Sequence, residues 1–437
     1  KYLDKDGNIA ADTGETATMS IEETMYDGYS DVYKKNGRYY AVPYMLSTTG
    51  IIYDADLFDE AKLFFKKDGT FGATAADVKA GTASVGPDGE AGTSDDGLPA
   101  TWGEFLKLLD MIRNKGYIPF TWAESPTTYQ LSRLFNAFWA NYEGYDDYML
   151  NYTFNGKDSQ FDDIDENNFI QLLDQEGRKA AIKAFYDITK NPGNYSAQAV
   201  PGGGNTHKGA LSEYVQSKRF GKRIAMTVEN SYWEQETRKV FESEPSQAIN
   251  GYGKRNFKYM PVPEFVGVDG ITDQTNTERI LPAQFAESYV CLSAKNKNKK
   301  ADVQVKIAKL FIKFMQQRSQ LVKYTKNTGC IRPYNYTVTA EEKALCTPYT
   351  QSLLTFIEEG ARLAPNLLSA TKRRAYNGEI GFHETDNGFA FRARVGNSTY
   401  MDPFTYFYQN KGKTVDDAVT DMTTTITGFL KRAGAIS

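Results

Sequence analysis

The segment Gly37–Phe58, GRYYAVPYMLSTTGIIYDADLF, constrains the fold of this 437-residue chain more than any other stretch. Aromatic and β-branched residues at positions 38–42 favour a pleated, half-buried strand. Pro43 cannot donate to a sheet ladder and therefore predicts a strand end or an edge. The run Ser47–Gly50 predicts a loop that carries three hydroxyl groups, and a second strand and a helix start follow it. This order suits a crossing between two domains that also holds a polar ligand.

The composition is that of an ordinary soluble globular protein, with 41% hydrophobic and 24% charged residues. The length favours two or three domains. A net charge of −4 gives no reason to expect nucleic acid as a partner. The sequence contains no run of about 18 apolar residues, so it predicts no membrane span. No secretory signal is visible at Lys1, which says little because a trimmed chain lacks one.

Cysteine and histidine usage limits the metal chemistry that the chain can support. The three cysteines have no metal-binding spacing. Cys330 and Cys346 could pair in an exported protein, although buried free thiols are favoured. With only His207 and His383, a histidine-based metal site is close to excluded.

Alternating helix and strand patterns predict α/β layers. Residues Thr101–Lys115 form an amphipathic helix pattern, with Thr101 as N-cap and Glu104 completing a capping box. Gly116 ends this helix, and residues 117–122 read as the next strand. Further helices are predicted at 132–142, 177–190, 302–318 and 414–432, and further strands at 222–228, 258–262 and 288–293. In the helix at 302–318, the side chains expected to face inward are Val305, Ile307, Leu310, Phe311 and Phe314.

Several segments, taken together and in order, resemble one family. They are GRYYAVPY at 37–44, GIIYDADLF at 50–58, LPATWGEF at 98–105, IPF at 118–120, GKRIAM at 221–226 with YWE at 232–234, SAKNKN at 293–298, AKLFIKFM at 308–315 and TGCIRP at 328–333. The chain is similar to the extracellular solute-binding proteins of bacterial carbohydrate ABC importers, the family 1 group that includes maltose-binding protein. Each segment alone is weak evidence, whereas the ordered set is specific.

The resemblance implies an α/β, two-lobe fold of the periplasmic-binding-protein type (type II), with hinge strands and a sugar in the cleft. Residues 1–45 and 262–328 would form lobe one, and residues 46–261 and 329–437 would form lobe two. The crossings would lie near Met45–Gly50, Val262–Phe265 and Gly329. Such proteins close around their ligand by a hinge motion.

The chain departs from the family at its beginning. In the family a long portion of lobe one precedes the Tyr-x-Val-Pro-Tyr segment, whereas only 36 residues precede Gly37 here. We therefore expect the N-terminal part of lobe one to be missing from this sequence, together with any signal peptide and lipid-anchor cysteine.

The resemblance also suggests ligand-binding residues, each with a plainer alternative. Ser47, Thr48 and Thr49 lie at the first crossing and would either contact ligand hydroxyls or satisfy their own backbone. Trp122, Glu124 and Tyr129 follow a predicted strand, where open α/β sheets bind ligands. Alternatively, Trp122 packs in the core and Glu124 caps the following helix.

The polar and aromatic residues Asn230, Tyr232 and Trp233 follow the predicted strand at 222–228 and are the favoured site residues. The alternative is a core tryptophan beside an asparagine turn. Glu287, with Ser288, precedes a strand at a hinge return, and Arg332 follows the third crossing. Tyr400 and Phe404 would add an aromatic wall, although core packing is favoured for both.

The acidic, glycine-rich stretch at 86–97, GPDGEAGTSDDG, offers oxygen ligands that suit Ca²⁺. Asp88, Glu90, Asp95 and Asp96 would supply them. The spacing is not that of an EF-hand, and a solvated acidic loop is equally compatible with it. No other cofactor is expected.

The favoured function is to bind an oligosaccharide and deliver it to an ABC-transporter permease, as a monomer outside the cell, in the periplasm or on the cell surface. Two other functions stay open. A glycoside hydrolase needs two carboxylates about 5–10 Å apart, and acidic residues are plentiful. A non-catalytic carbohydrate-binding or adhesion module is the third.

Overall fold

The fold is taken from a computed structural model that describes residues 1–26, 29–124, 129–153, 156, 159–160, 163–164, 168–292, 301–365, 393–396 and 401–432. The strands are β1 (Lys34–Lys35), β2 (Arg38–Tyr39), β3 (Ala41–Asp54), β4 (Phe64–Phe65), β5 (Phe71–Ala73), β6 (Ile118–Thr121), β7 (Ile224–Asn230), β8 (Phe257–Met260), β9 (Ile280–Cys291) and β10 (Arg362–Pro365).

Helices alternate with these strands in the described parts of the chain. They are α1 (Ala10–Thr13), α2 (Tyr29–Tyr33), α3 (Ala55–Glu60), α4 (Ala75–Lys79), α5 (Trp102–Asn114), α6 (Tyr129–Glu143), α7 (Tyr145–Thr153), α8 (Glu176–Lys190), α9 (His207–Gln216), α10 (Trp233–Glu236), α11 (Arg238–Ser243), α12 (Gln247–Asn250), α13 (Ala301–Met315), α14 (Arg318–Thr328), α15 (Ala340–Lys343), α16 (Pro348–Glu358), α17 (Pro403–Gln409) and α18 (Val415–Arg432). Within the described parts of the chain, no helix is long and apolar enough to cross a membrane.

The main sheet has the strand order β10-β9-β3-β7-β6, and β8 also pairs with β3. Strand β3 is its central element. Its first half, from Ala41 to Thr48, pairs antiparallel with β9. Its second half lies between β7, paired from Thr49 to Tyr53, and β8, paired from Ile51 to Asp54. The strand therefore changes partners at the hydroxyl-bearing residues.

This continuity corrects the predicted turn and loop. Residues 47–50 are part of one extended strand of 14 residues rather than a loop between two strands. Pro43 lies inside this strand, next to register irregularities between Pro43 and Ser47. At that point β3 has no ladder with β7, so the missing N–H of proline breaks no pairing on that side.

Two hydrophobic cores lie on opposite faces of β3. Ile51 and Tyr53 belong to the larger core with α5, α6 and α8, whereas Ile52 belongs to the smaller core with Trp233 and Tyr349. This division follows from the alternation of side chains along a strand. Both cores contain residues from each of the two predicted lobes, so the predicted boundaries stay a prediction.

The predicted amphipathic helix at 101–115 is confirmed as α5, with Thr101 accepting from Glu104 N as N-cap. The capping box is incomplete, because the Glu104 carboxylate accepts from Ala100 N at 2.8 Å instead of from the N-cap residue. The predicted strand at 288–293 is longer and begins at Ile280. The helix predicted at 302–318 ends at Met315, and α14 follows it.

The apolar face of α13 is exposed, which corrects the prediction that it faces inward. Ile307 and Phe311 are both 60% exposed, and Leu310 is 57% exposed. Phe314 is exposed as well, and Val305 is half-buried. The periodicity predicted the helix correctly, but no described element covers that face.

Candidate functional site

The partner change in β3 places three hydroxyl residues in a buried position. Ser47, Thr48 and Thr49 are each at most 2% exposed. Ser47 and Thr49 lie on the same face of the strand, because they are two residues apart. The Thr48 carbonyl oxygen accepts from Ser231 N at 2.8 Å, which fixes β3 to the end of β7. The Ser47 hydroxyl has no hydrogen-bond partner among the described residues.

Asn230, the last residue of β7, joins three elements through its amide. Its Oδ1 accepts from the Thr49 hydroxyl at 2.6 Å and from Arg133 Nη1 at 3.1 Å. Its Nδ2 donates to the Tyr232 hydroxyl at 3.1 Å. The predicted residues Thr49, Asn230 and Tyr232 are therefore in direct contact.

The buried face of α6 adds polar groups that the sequence analysis did not single out. Gln130, Arg133 and Asn136 follow at intervals of three and lie within one helix face. Asn136 is fully buried, and neither of its amide atoms has a hydrogen-bond partner among the described residues. The Gln130 Oε1 atom is also unpartnered within the described structure.

We refer to these side chains as the polar cluster, and its members are Ser47, Thr49, Gln130, Arg133, Asn136, Asn230 and Tyr232. Buried donors and acceptors without partners cost free energy, about 1–3 kcal/mol for each group, unless water or a ligand satisfies them. A set of neutral hydroxyls and amides with one guanidinium matches the hydrogen-bonding groups of a polyol. The cluster can therefore bind a neutral, hydroxyl-rich molecule.

A buried carboxyl group lies directly beside the polar cluster. Glu229 precedes Asn230 and points to the opposite face of the sheet, and its side chain is fully buried. His207 Nδ1 lies 3.4 Å from Glu229 Oε1, and His207 Nε2 lies 3.2 Å from Glu236 Oε2. Burial raises the pKa of Glu229 to about 7, although His207 opposes this shift. The hydrogen bond with Glu236 raises the pKa of His207.

The sequence profile of one protein family matches residues 4–345, which is most of the chain. Its description is "Bacterial extracellular solute-binding protein". This chain belongs to that family. The family is a binding class rather than a catalytic one, and its members act outside the cytoplasm. No curated protein sequence matches this solute-binding protein.

Solved structures share the two-lobe fold of the family at low sequence identity. RafE in complex with raffinose is 16% identical, with a TM-score of 0.51, covering 93% of this chain and 78% of its own. Apo RafE from Streptococcus pneumoniae is 17% identical, with a TM-score of 0.51 and coverages of 95% and 80%. Maltose-bound MalE3 from T. maritima is 14% identical, with a TM-score of 0.50 and coverages of 98% and 81%. At such identities the likeness shows the fold alone.

The two tryptophans predicted to stack on a ligand are core residues in this solute-binding protein. Trp233 is fully buried among Tyr214, Phe257 and Tyr349. Trp122 is 2% exposed, and its Nε1 donates to Ala199 O at 3.0 Å. Both rings are buried among other aromatic side chains, which matches the alternative of core packing, and their role in ligand binding stays a prediction.

Glu124 fixes a loop instead of presenting a free carboxylate. Its two oxygens accept from Gly202 N at 2.6 Å and from Gly204 N at 2.5 Å. It therefore shapes the loop after Ala199 and does not cap α6. Phe404 packs at the edge of the Trp122 ring, as its favoured core role predicted.

Arg332 is also buried, and its role as a ligand contact stays a prediction. Its guanidinium lies 4.3 Å from the centre of the Tyr44 ring, and its Nη2 donates to Gln316 at 3.1 Å. Tyr324 and Tyr334 enclose it further. Burial lowers the pKa of Arg332.

Some predicted residues lie outside the part of the chain that the structure describes. Tyr400 is among them, and so are the side chains of Tyr129, Glu287 and Ser288. Their roles stay predictions.

The acidic stretch at 86–97 uses its carboxylates within the protein. Asp95 accepts from Asp88 N at 3.2 Å and from the Thr93 hydroxyl at 2.7 Å, and Arg279 Nη1 lies 3.2 Å from Asp88 Oδ2. Asp96 accepts from Gly92 N. Among the described residues, no group of three Asp, Glu, His or Cys side chains is placed to hold a metal ion. Calcium binding by Asp88, Glu90, Asp95 and Asp96 stays a prediction.

A cavity with a volume of about 1090 Å³ lies away from the polar cluster. Asn8, Tyr26, Tyr145, Gln316 and Arg362 are among its lining residues. None of the described lining residues has a buried polar atom without a partner. Cys330 and Cys346 are buried free thiols, as favoured from the sequence.

Proposed function

We propose that this protein binds an oligosaccharide at the polar cluster and delivers it to the permease of an ABC importer. Family membership supports sugar import, since RafE and MalE3 have structures with raffinose and maltose. The observation that carries the proposal is the concentration of unpartnered buried atoms on two elements that meet there. These atoms are Ser47 Oγ on β3 and both amide atoms of Asn136 on α6.

The binding mode follows from the chemistry of the cluster. Ser47 and Asn136 would bond to ligand hydroxyls, while Arg133 and Thr49 already hold Asn230 in place. Tyr232 is half-buried and is the accessible aromatic side chain beside Asn230. Its ring would pack against the apolar face of a sugar ring. We expect the protein to act as a monomer outside the cytoplasm.

A panel of oligosaccharides tested by thermal shift, followed by calorimetry on those that bind, would test this function. A ligand at 100 times its Kd stabilises the folded state by about 2.7 kcal/mol and should raise Tm by several degrees. If none of the glycans stabilises the protein, sugar binding is wrong.

The Ser47→Ala variant tests whether the glycan binds at the polar cluster. We expect the affinity for the best glycan to fall about three- to tenfold, the equivalent of one neutral hydrogen bond. The Tm of the free protein should not fall, because the Ser47 hydroxyl has no partner to lose.

Ser84→Ala is the matched control for this variant. Ser84 also carries a buried hydroxyl without a partner among the described residues, but it lies beside Phe65, away from β7 and α6. Its affinity should equal that of the unmodified protein. Equal affinities for Ser47→Ala and Ser84→Ala would remove Ser47 from the site.

A further inference from the structure

We propose that the turn at residues 218–222 docks this protein on an anionic lipid surface, with the Phe220 ring inserted at the level of the headgroups. The segment reads KRFGK, and all five residues are exposed. Phe220 is 69% exposed, the highest value for a large apolar side chain among the described residues. The segment is called the basic turn below. It is separate from the polar cluster, so its role as a docking surface does not depend on sugar binding.

The fold fixes the basic turn at both of its ends. Helix α9 ends at Gln216, whose carbonyl oxygen accepts from Arg219 N at 2.8 Å. Ser217 is buried, and its hydroxyl oxygen accepts from Ile224 N, at the start of β7, at 3.2 Å. A fixed turn therefore presents Phe220 to solvent.

The basic turn and the polar cluster lie at opposite edges of the main sheet. The turn leads into β7, whereas Asn230 ends that strand. The seven residues of β7 separate the two edges by about 20 Å. Strand β6 runs parallel to β7 with Ile118 opposite Ile224, so Lys115, in the turn before β6, lies at the edge of the basic turn. A protein docked by this edge keeps the polar cluster away from the lipid.

Positive charge at this edge is largely unneutralised. Lys115, Arg219 and Lys222 are exposed and have no ion pair among the described residues. Lys218 Nζ lies 3.7 Å from Glu60 Oε1, the acidic side chain that contacts the turn. Since the whole chain has a net charge of −4, this local positive edge orients the protein toward an anionic layer.

The size of the surface favours a lipid layer over a protein partner. A stable protein interface buries about 800 Å² on each partner, whereas one aromatic side chain offers about 150–250 Å². A lipid layer requires no complementary shape, and aromatic residues beside Lys and Arg are typical of segments that bind at its surface. Each Lys or Arg near an anionic leaflet strengthens binding about fivefold. Because members of this family act outside the cytoplasm, the outer leaflet of the cell membrane is within their reach.

Sedimentation with vesicles tests the docking directly and requires no sugar. Vesicles of phosphatidylglycerol and phosphatidylcholine in equal parts are compared with vesicles of phosphatidylcholine alone. We expect binding to the anionic vesicles at low salt and at least a tenfold loss at about 1 M NaCl, where the Debye length is about 3 Å. No binding to the anionic vesicles, or equal binding to both kinds, overturns the proposal.

Two charge variants test whether the basic turn is the contact surface. The variant Arg219→Gln/Lys222→Gln should bind anionic vesicles about 20- to 30-fold more weakly, from about fivefold for each cation. The matched control is Lys323→Gln/Lys326→Gln in α14, which removes the same charge from exposed positions without an ion pair among the described residues. The control should bind like the unmodified protein. Equal losses in both variants would show that net charge drives binding, and would overturn the role of the turn.

The Phe220→Ser variant separates insertion from purely electrostatic adsorption. Burial of the ring should strengthen binding about tenfold or more, so its loss should weaken binding by that factor. Leu345→Ser is the control, since Leu345 is 64% exposed and lies between α15 and α16. It should leave binding unchanged. If Phe220→Ser binds anionic vesicles as tightly as the unmodified protein, insertion is wrong.

The Phe220→Trp variant gives a spectroscopic measure of insertion. The four natural tryptophans are at most 2% exposed, so lipid should not reach them. Brominated phosphatidylcholine in the anionic vesicles should quench the added fluorescence and shift its emission to the blue. Quenching no greater than that of the unmodified protein overturns the insertion of this ring, whatever the outcome of the sugar panel.

Discussion

At the residue scale, the proposed site is marked by unpartnered buried polar atoms on both β3 and α6, the elements that meet there, although single atoms of this kind also occur elsewhere in the described interior, as at Ser84 and Trp233. Most buried polar groups in native proteins are hydrogen-bonded, so each exception calls for a reason. Asn136 has two unpartnered atoms within the described structure, whereas Asn141, five residues later in α6, is fully used. Asn141 accepts from Ile280 N at 2.9 Å and donates to Ile280 O at 2.8 Å.

This contrast predicts opposite effects for two chemically identical substitutions. Asn136→Leu should leave the free energy of unfolding unchanged or raise it by about 1 kcal/mol, because unpaired polar atoms are replaced by apolar ones. It should also abolish or strongly weaken glycan binding. Asn141→Leu should lower the free energy of unfolding by about 1–3 kcal/mol, since it leaves the β9 backbone unpaired. Urea denaturation and calorimetry on both variants would measure this, and equal destabilisation would show that Asn136 has a structural partner.

The residue scale is also where sequence analysis was least able to assign roles. Asn230 bonds to Thr49 and to Tyr232, whereas Trp233, predicted with them as a site residue, is buried among aromatic rings. A run of asparagine, serine, tyrosine and tryptophan does not show which of two adjacent aromatic rings faces the core. Arg133 and Asn136 went unnoticed because polar residues in a helix are usually exposed, whereas α6 is buried on the face that carries them.

At the element scale, β3 determines where the site can form. The aromatic and β-branched residues correctly predicted extended structure in this segment. They did not predict that the strand continues through Pro43 and the hydroxyl residues. Whether a Ser-Thr-Thr-Gly run is a loop or a strand depends on its neighbours, and β7, β8 and β9 come from distant parts of the chain. Local preference alone could not reveal these pairings.

Gly50 is the position in β3 that tolerates a side chain least. A Cβ atom there would lie 2.3 Å from Cε2 and 2.7 Å from the hydroxyl oxygen of Tyr259. Gly50→Ala should therefore lower the free energy of unfolding by about 2–3 kcal/mol, as expected for overpacking. In the control Gly103→Ala, within α5, the nearest atom is Thr101 Oγ1 at 3.9 Å. That change should be neutral or slightly stabilising. Similar urea midpoints for the two variants would contradict the packing argument.

At the scale of the whole molecule, the ordered motifs predicted the family and the two-lobe fold, and both are confirmed. The lobe boundaries were harder to infer. They depend on which segments move together, and the two cores described here mix residues from both predicted lobes. A division at 45/46, 261/262 and 328/329 therefore stays a prediction.

X-ray scattering with and without ligand tests whether the lobes close. A compact chain of this length has a radius of gyration of about 22 Å. We expect this radius to decrease on saturation with the best glycan, because hinge closure brings the lobes together. A glycan from the same panel that does not bind is the control. An unchanged radius at saturating ligand would mean that binding occurs without closure.

The apolar face of α13, which no described element covers, has a consequence for local unfolding. Ile307, Leu310 and Phe311 contribute little burial to hold the helix against the rest of the fold. Local stability follows buried apolar contact, so the backbone amides of α13 should exchange their hydrogens with solvent well before those of α6 or β3. Among the described elements, we therefore expect α13 to unfold locally before either of the two cores unfolds.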